Sequence, residues 1–321
     1  MTTLKVLLFG LAMAIPWALP AAERTSVRAL KITILSTMLA DGDELGEWGF
    51  AALVEADGKK ILFDTGAKTD VVQKNLQTLK LSLADVTDVV LSHWHGDHVG
   101  GFMTLRREAM AKNPAALGRT HVAAGFFDSR VGVPPGVELN RMIAVRPEYE
   151  ATGGKFLVHT APVALQPGVW LTGPVPRKHP ERNWSGSTRV RTAAGEREDT
   201  VADDLALVVD TAQGLVVVTG CGHAGVINII EHARSVVRPA RVQALIGGIH
   251  LFRASEETLA WTTGRLREFG VDHFIGAHCT GIETVWRFRA DLGLDRARCV
   301  VGAVGQTFEL GKGIDARAIA K

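Results

Sequence analysis

Four side chains able to bind a metal ion fall within six residues, in the run His93-Trp94-His95-Gly96-Asp97-His98. His93 and His95 stand two apart, so in an extended segment they face the same way and can share one ion. Asp97 and His98 follow Gly96, where the backbone can turn and aim them at a second ion. Imidazole with carboxylate suits Zn2+, Mn2+ or Fe2+, and Zn2+ is the default for a histidine-rich site. The competing reading is a polar turn whose histidines cap a helix. Three His and one Asp at this density, in a chain with 11 His overall, speak against it.

The elements around this run must present it at a strand end. Residues 87–91 (TDVVL) predict a short buried strand that leads straight into it, and a helix is expected over 102–112. Before it, strands are expected over 30–36, 50–55 and 60–63, the last two joined through Asp57-Gly58, a hairpin signal. A helical period covers 69–81, and 120–123 predicts another strand. Residues 125–168 are poor in period, and 174–200 are polar and charged, so 125–200 is read as a loop insertion rather than a second domain. Strands return at 204–210 and 214–219, then 242–246, 274–275 and 299–304, with helices over 227–237, 256–269 and from 281 to about 292. Strands in clusters with helices between them predict sheets covered by helices.

The run is similar to the HxHxDH signature of the metallo-β-lactamase superfamily. Phe63-Asp64-Thr65-Gly66 resembles that superfamily's FDTG turn. Thr219-Gly220-Cys221-Gly222-His223-Ala224-Gly225, Gly247-Gly248-Ile249-His250-Leu251 and His278-Cys279-Thr280-Gly281 resemble a subgroup. That subgroup is the 7,8-dihydropterin-6-methyl-4-(β-D-ribofuranosyl)aminobenzene-5′-phosphate synthase-like proteins. The resemblance covers roughly residues 30–310 and implies an αββα sandwich, two mixed sheets face to face with helices outside, as one domain over 28–315. It also implies a ligand set. His93 and His95 match the ligands of one ion, Asp97 and His98 those of another, and His278 the last histidine ligand. The middle departs from the hydrolase pattern. Asp203 or Asp204 stands where a histidine is usual, and Cys221 stands where the TGD aspartate is usual, so His223 is chosen as the replacement ligand. Cys221 is then a thiolate ligand or a small residue in a tight turn, Asp203 and Asp204 ligands or loop-orienting groups, and Asp64 a support that fixes a ligand's tautomer.

The function this implies is a metal-dependent hydrolase with about two Zn2+, or Mn2+ or Fe2+ in their place. A metal-activated hydroxide would attack a small ester, lactone or phosphoester, with Asp97 and His98 as catalytic residues. The alternatives are a pterin-related synthase or transferase of the subgroup, and a non-catalytic metal- or ligand-binding protein on the same fold. His250, at a strand end, faces the cleft or acts as a supporting or capping group. His121, His159, His179, His232 and His273 show no partner spacing. The arginines of 177–197 form either an anion-attracting lid or a solvated loop offset by its own acidic residues, and Trp94 is expected to pack beneath the site.

Composition narrows the rest. Lys+Arg is 36 against Asp+Glu 34, a net charge of +2, which argues against a nucleic-acid binder, so a small-molecule substrate is expected. Three cysteines in 321 residues exclude a disulfide scaffold. The apolar run 6–19 behind Lys5, with Ala21 and Ala22 after it, predicts a signal peptide within 1–22 and export to the periplasm. The alternative is an N-terminal membrane anchor; no integral membrane domain is expected beyond it. The sequence leaves the oligomeric state open.

Overall fold

A computed structural model of the protein describes residues 26–132 and 136–320. The expected signal segment lies outside them. β1 (Leu30–Ser36), β2 (Ala51–Ala56) and β3 (Lys59–Phe63) form an antiparallel meander. The β2–β3 turn holds Asp57 and Gly58 at positive φ (47° and 83°), the turn that an Asp-Gly pair supplies. After α1 (Val71–Thr78), β4 (Asp88–Val90) pairs parallel with β3 and ends at the histidine run. The short α2 (Gly96–Val99) and α3 (Phe102–Lys112) precede β5 (Arg119–Ala123), parallel to β4.

Next come β6 (Arg130–Val131), α4 (Met142–Ala151), β7 (Lys155–His159), β8 (Val163–Gln166) and β9 (Val169–Leu171). A hairpin follows, β10 (Arg189–Thr192) and β11 (Gly195–Glu198). β12 (Ala206–Thr211), β13 (Gly214–Thr219), α5 (Val226–Val236), β14 (Val242–Gly247), α6 (Glu256–Glu268), β15 (His273–Gly276), α7 (Ile282–Leu292) and β16 (Cys299–Val301) build the second half. β17 (Thr307–Glu309) and β18 (Gly313–Asp315) return to the first sheet beside β1.

The result is an eight-stranded mixed sheet, β18-β17-β1-β2-β3-β4-β5-β7, and a seven-stranded mixed sheet, β16-β15-β14-β13-β12-β9-β8. Period-2 alternation decides what each strand face covers. In β12, Leu207 and Val209 join the core between the sheets, while Ala206 and Val208 face the helix layer. β13 repeats this with Val216 and Val218 inward and Leu215 and Val217 outward. Strands buried on both faces need apolar residues on both, which these have. Helices α1, α3 and α4 cover the first sheet and α5, α6 and α7 the second, giving the expected αββα sandwich. Among the described residues no helix is long and apolar enough to cross a membrane.

The loop-insertion reading of 125–200 requires correction. β7 extends the first sheet, β8 and β9 form the edge of the second, and β6 joins β10–β11 in a small three-stranded sheet. These elements escaped the hydrophobic pattern for physical reasons. α4 carries Pro147 internally, and β7 is an edge strand, half-exposed along its length, so neither has a clean period. The strand expected from 204 begins instead at Ala206, leaving Asp203 and Asp204 in the preceding loop.

Candidate metal centre

Every group of the centre lies at a strand end. β4 delivers His93 to His98; β13 delivers Cys221 and His223; β14 delivers His250; β15 delivers His278 and Cys279. Parallel pairing of β13, β14 and β15 brings these ends to one level, the place where ligands bind in open α/β sheets.

On one side, His93 Nε2 lies 3.0 Å and His223 Nε2 lies 3.2 Å from His95 Nδ1. One ring nitrogen cannot be a normal partner to both. Three imidazole nitrogens this close match the spacing of ligands around a single tetrahedral ion, about 3.3 Å for bonds near 2.0 Å. Burial holds His93 and His223 well below the usual histidine range and His95 at about 4, so all three are neutral and able to ligate. On the other side, Asp97, His98, Cys221 and His278 offer ligand atoms within 4.8 Å of one another. Asp97 Oδ2 is 3.2 Å from His278 Nε2, and His98 Nε2 is 3.1 Å from Cys221 Sγ. His278 Nδ1 is buried without a hydrogen-bond partner, and Nε2 has only the Asp97 contact, a cost that a bound cation would relieve. The donor set therefore fits a pair of metal ions.

Supporting groups fix which nitrogen faces inward. Asp64 accepts from the Ser92 backbone N–H through Oδ1, and its Oδ2 lies 2.7 Å from both Ser92 Oγ and His98 Nδ1. With its proton on Nδ1, His98 turns Nε2 toward the centre. Burial opposes charge on His98, but Asp64 and Asp97 raise its pKa to about 9, so an ion bound at Nε2 displaces a proton from that nitrogen while Asp64 keeps the one on Nδ1. Ser92 Oγ contacts His93 Nδ1, and His223 Nδ1 meets the Asn183 carbonyl. Burial also works against ionisation of Asp97, yet the neighbouring His98 and His278 hold its carboxyl well below the ordinary carboxylate range. A methyl group at Gly220 would lie 2.1 Å from Ser92 Oγ and 2.7 Å from Asp64 Oδ2, so glycine there is a steric requirement of this network. Asp64, His250 and His278 all have positive φ (57°, 52° and 48°), backbone strain of roughly 1–3 kcal/mol each, concentrated at the centre.

The structure places His223 beside His95 and His93, and Cys221 against both groups. Asp203 and Asp204 lie outside them. Asp203 takes the Trp94 backbone N–H at 2.9 Å and pairs with Arg130 at 2.8 Å, while Asp204 accepts from Ala224 N–H at 2.9 Å. They orient the loops, and burial raises their carboxyls to about 6 and about 7. Trp94 is buried with the Arg130 guanidinium 5.0 Å from its ring centroid, the packing role expected of it. Arg177 donates to the carbonyls of His223, Thr200 and Val201, and Arg182 and Arg191 pair with Glu198 and Glu196, so these arginines brace the loop. His121, read as unpartnered, contacts His159 at 3.0 Å and Asp88 at 3.0 Å, away from the centre. Ser92, Asn183 and Cys279 were not foreseen. Ser92 adjoins the first ligand and Cys279 the last, but Asn183 lies in a polar stretch without any pattern.

A cavity of about 850 Å³ opens beside the centre. His250 forms part of its wall, with its ring 4.6 Å from that of His223. Trp184, Phe252 and Trp261 give it apolar walls, and Arg182, Asn183, Arg253 and Glu257 are among its polar and charged lining groups.

Fold and centre together define a metallo-β-lactamase-type protein. The chain belongs to the metallo-beta-lactamase superfamily, which matches residues 49–227. It is 26% identical over 261 residues to the 7,8-dihydropterin-6-methyl-4-(beta-D-ribofuranosyl)-aminobenzene-5'-phosphate synthase of Methanocaldococcus jannaschii, covering 79% of this chain and 87% of that protein. Among solved structures it resembles Tm1679, a metal-dependent hydrolase of the beta-lactamase superfamily, with a TM-score of 0.70 at 26% identity over 88% of this chain and 99% of that one. Zn(2+)-bound PqqB from Methylobacterium extorquens, at 15% identity and a TM-score of 0.53 over 87% and 100% of the two chains, shares the fold.

Proposed function

We propose that this protein is a metal-dependent enzyme that forms a bond between two small molecules, a transferase related to the pterin-type synthase for which its archaeal relative is named. The observation behind metal dependence is the convergence of His93, His95 and His223 on one point, with Asp97, His98, Cys221 and His278 beside it. Nitrogen, oxygen and sulfur donors together favour Zn2+. Bound there, the ions supply positive charge at a substrate oxygen. His93, His95 and His223 hold one ion, and Asp97, His98 and His278 the other. Asp64 keeps the His98 proton on Nδ1. Phe252, Trp184 and Trp261 present apolar walls to a substrate ring, and the cavity volume lies in the upper part of the range for small-molecule sites, as two reactants require.

Support for transfer over hydrolysis comes from the synthase name of the archaeal relative and from Cys221 standing in the hydrolases' aspartate place. The likeness to Tm1679 favours the second reading, hydrolysis of a small ester, lactone or phosphoester. The Zn2+-loaded protein is to be incubated with an activated 7,8-dihydropterin-6-methyl donor and an aminobenzene acceptor, beside a panel of esters, lactones and phosphodiesters. A joined product with no turnover of the panel supports transfer. Turnover of the panel without joined product replaces it with hydrolysis. For location, we propose that residues 1–22 direct export, which N-terminal sequencing of the mature chain tests.

A further inference from the structure

Cys279 has no place in either ligand group described above. Its Sγ, the Cys221 Sγ and a ring nitrogen of His250 nevertheless lie within 4.8 Å of one another. Ligands of one tetrahedral ion with bonds of 2.0–2.3 Å are spaced about 3.3–3.8 Å apart, so small movements would close this trio on a cation. Cys279 is fully buried, and its sulfur has only a long 3.8 Å contact to the Cys221 carbonyl. His250 Nδ1 is buried with no hydrogen-bond partner. The chain also makes room for the sulfur. A methyl group at Gly248 would lie 2.9 Å from Cys279 Sγ and 2.2 Å from the Gly220 carbonyl oxygen. His250 is held at a φ of 52°, which a non-glycine residue adopts only when its surroundings enforce it. Cys299 provides the contrast: equally buried, it donates to the Val285 carbonyl from a strand far from these histidines and acts as a small apolar filler.

We infer that Cys221, His250 and Cys279 form a third cation position of this centre, a thiolate–imidazole one that takes a thiophilic divalent ion. The inference rests on the reading of the centre as metal-binding. Two sulfurs and an imidazole select Zn2+ or Co2+ over Mg2+ or Ca2+. Each thiol gives up its proton to solvent as the ion enters. Because Cys221 also faces the paired site, filling the third position draws on a donor shared with it.

The test is a Co2+ titration of the metal-stripped full chain under nitrogen. The near-ultraviolet thiolate-to-cobalt band reads the sulfurs, and the visible bands read the ions as a whole. The Cys279→Ser variant should lose about half of the near-ultraviolet band while the visible bands of the paired site persist, and Cys221→Ser/Cys279→Ser should lose all of the near-ultraviolet band. His250→Ala should need about tenfold more Co2+ or greater to reach the same band, and it carries the test if Cys279→Ser fails to fold. Cys299→Ser should retain the full band. A full band in folded Cys279→Ser overturns the proposal. So does a parent protein with visible bands and no near-ultraviolet band, a result that leaves the paired site standing. Absence of every cobalt band overturns the metal reading itself.

Discussion

Replacing Asp64 by asparagine removes one oxygen from the most connected carboxylate of the centre. Asp64 Oδ1 holds the Ser92 N–H, and Oδ2 faces Ser92 Oγ and His98 Nδ1, all at 2.7 Å and fully buried. An asparagine that keeps its oxygen on the Ser92 N–H points its NH2 at His98 Nδ1. His98 must then accept there and carry its proton on Nε2, the nitrogen 3.1 Å from Cys221 Sγ, where it would block an ion. The flipped amide sets NH2 against the Ser92 N–H, donor against donor, at about 1–3 kcal/mol. Both routes cost metal affinity, and loss of such an outer partner typically lowers it about 10–100-fold, or ~1.4–2.7 kcal/mol. Competition for Zn2+ against a chromophoric chelator at neutral pH measures it. Unchanged affinity in an Asp64→Asn variant with a native near-ultraviolet circular dichroism spectrum would refute the tautomer argument.

Arg130→Met should destabilise the fold by about 3–5 kcal/mol, because it leaves Asp199 and Asp203 buried without their cation; urea unfolding reads the loss. At Asp88, burial opposes ionisation, but hydrogen bonds from His121, Arg119 and Thr87 depress the carboxyl well below its ordinary range. A depressed folded-state pKa contributes stability that is present above the unfolded value, about 3.9, and is lost as pH falls through the folded one. Asp88→Asn should therefore cost about 1–2 kcal/mol at neutral pH, with the gap to the parent closing below about pH 4; a gap independent of pH would contradict it. Removing metal with a chelator should lower the melting temperature. An ion present at a hundred times its Kd adds about 2.7 kcal/mol, worth roughly 4–5 °C for a domain of this size, and calorimetry of chelated and Zn2+-loaded samples shows whether it does.

The local signals carried far. The strand over 30–36, the helix over 102–112 and the strand over 214–219 were legible to the residue, because each is an apolar-rich segment of the right length bounded by turn or polar residues. The dense histidine run needed no partner to declare its chemistry, since its ligand types and spacing are local properties. Edge strand β7, helix α4 and the β8–β9 pair stayed hidden. Their burial comes from neighbours far along the chain, and they have weak periods of their own.

Cys221 and His223 could be ranked in the sequence but not placed. Only the parallel register of β13, β14 and β15 brings residues from 221, 250 and 278 to one level with 93–98. The same convergence sends Asp203 and Asp204 to backbone N–H groups and an arginine, and gives Cys279 the neighbours that motif reading did not supply. The sequence by itself determined the class of chemistry and the elements that present it, because propensity, period and ligand type act over a few residues. Tertiary structure alone decided which distant side chains share a centre, because sheet pairing between remote segments sets those distances.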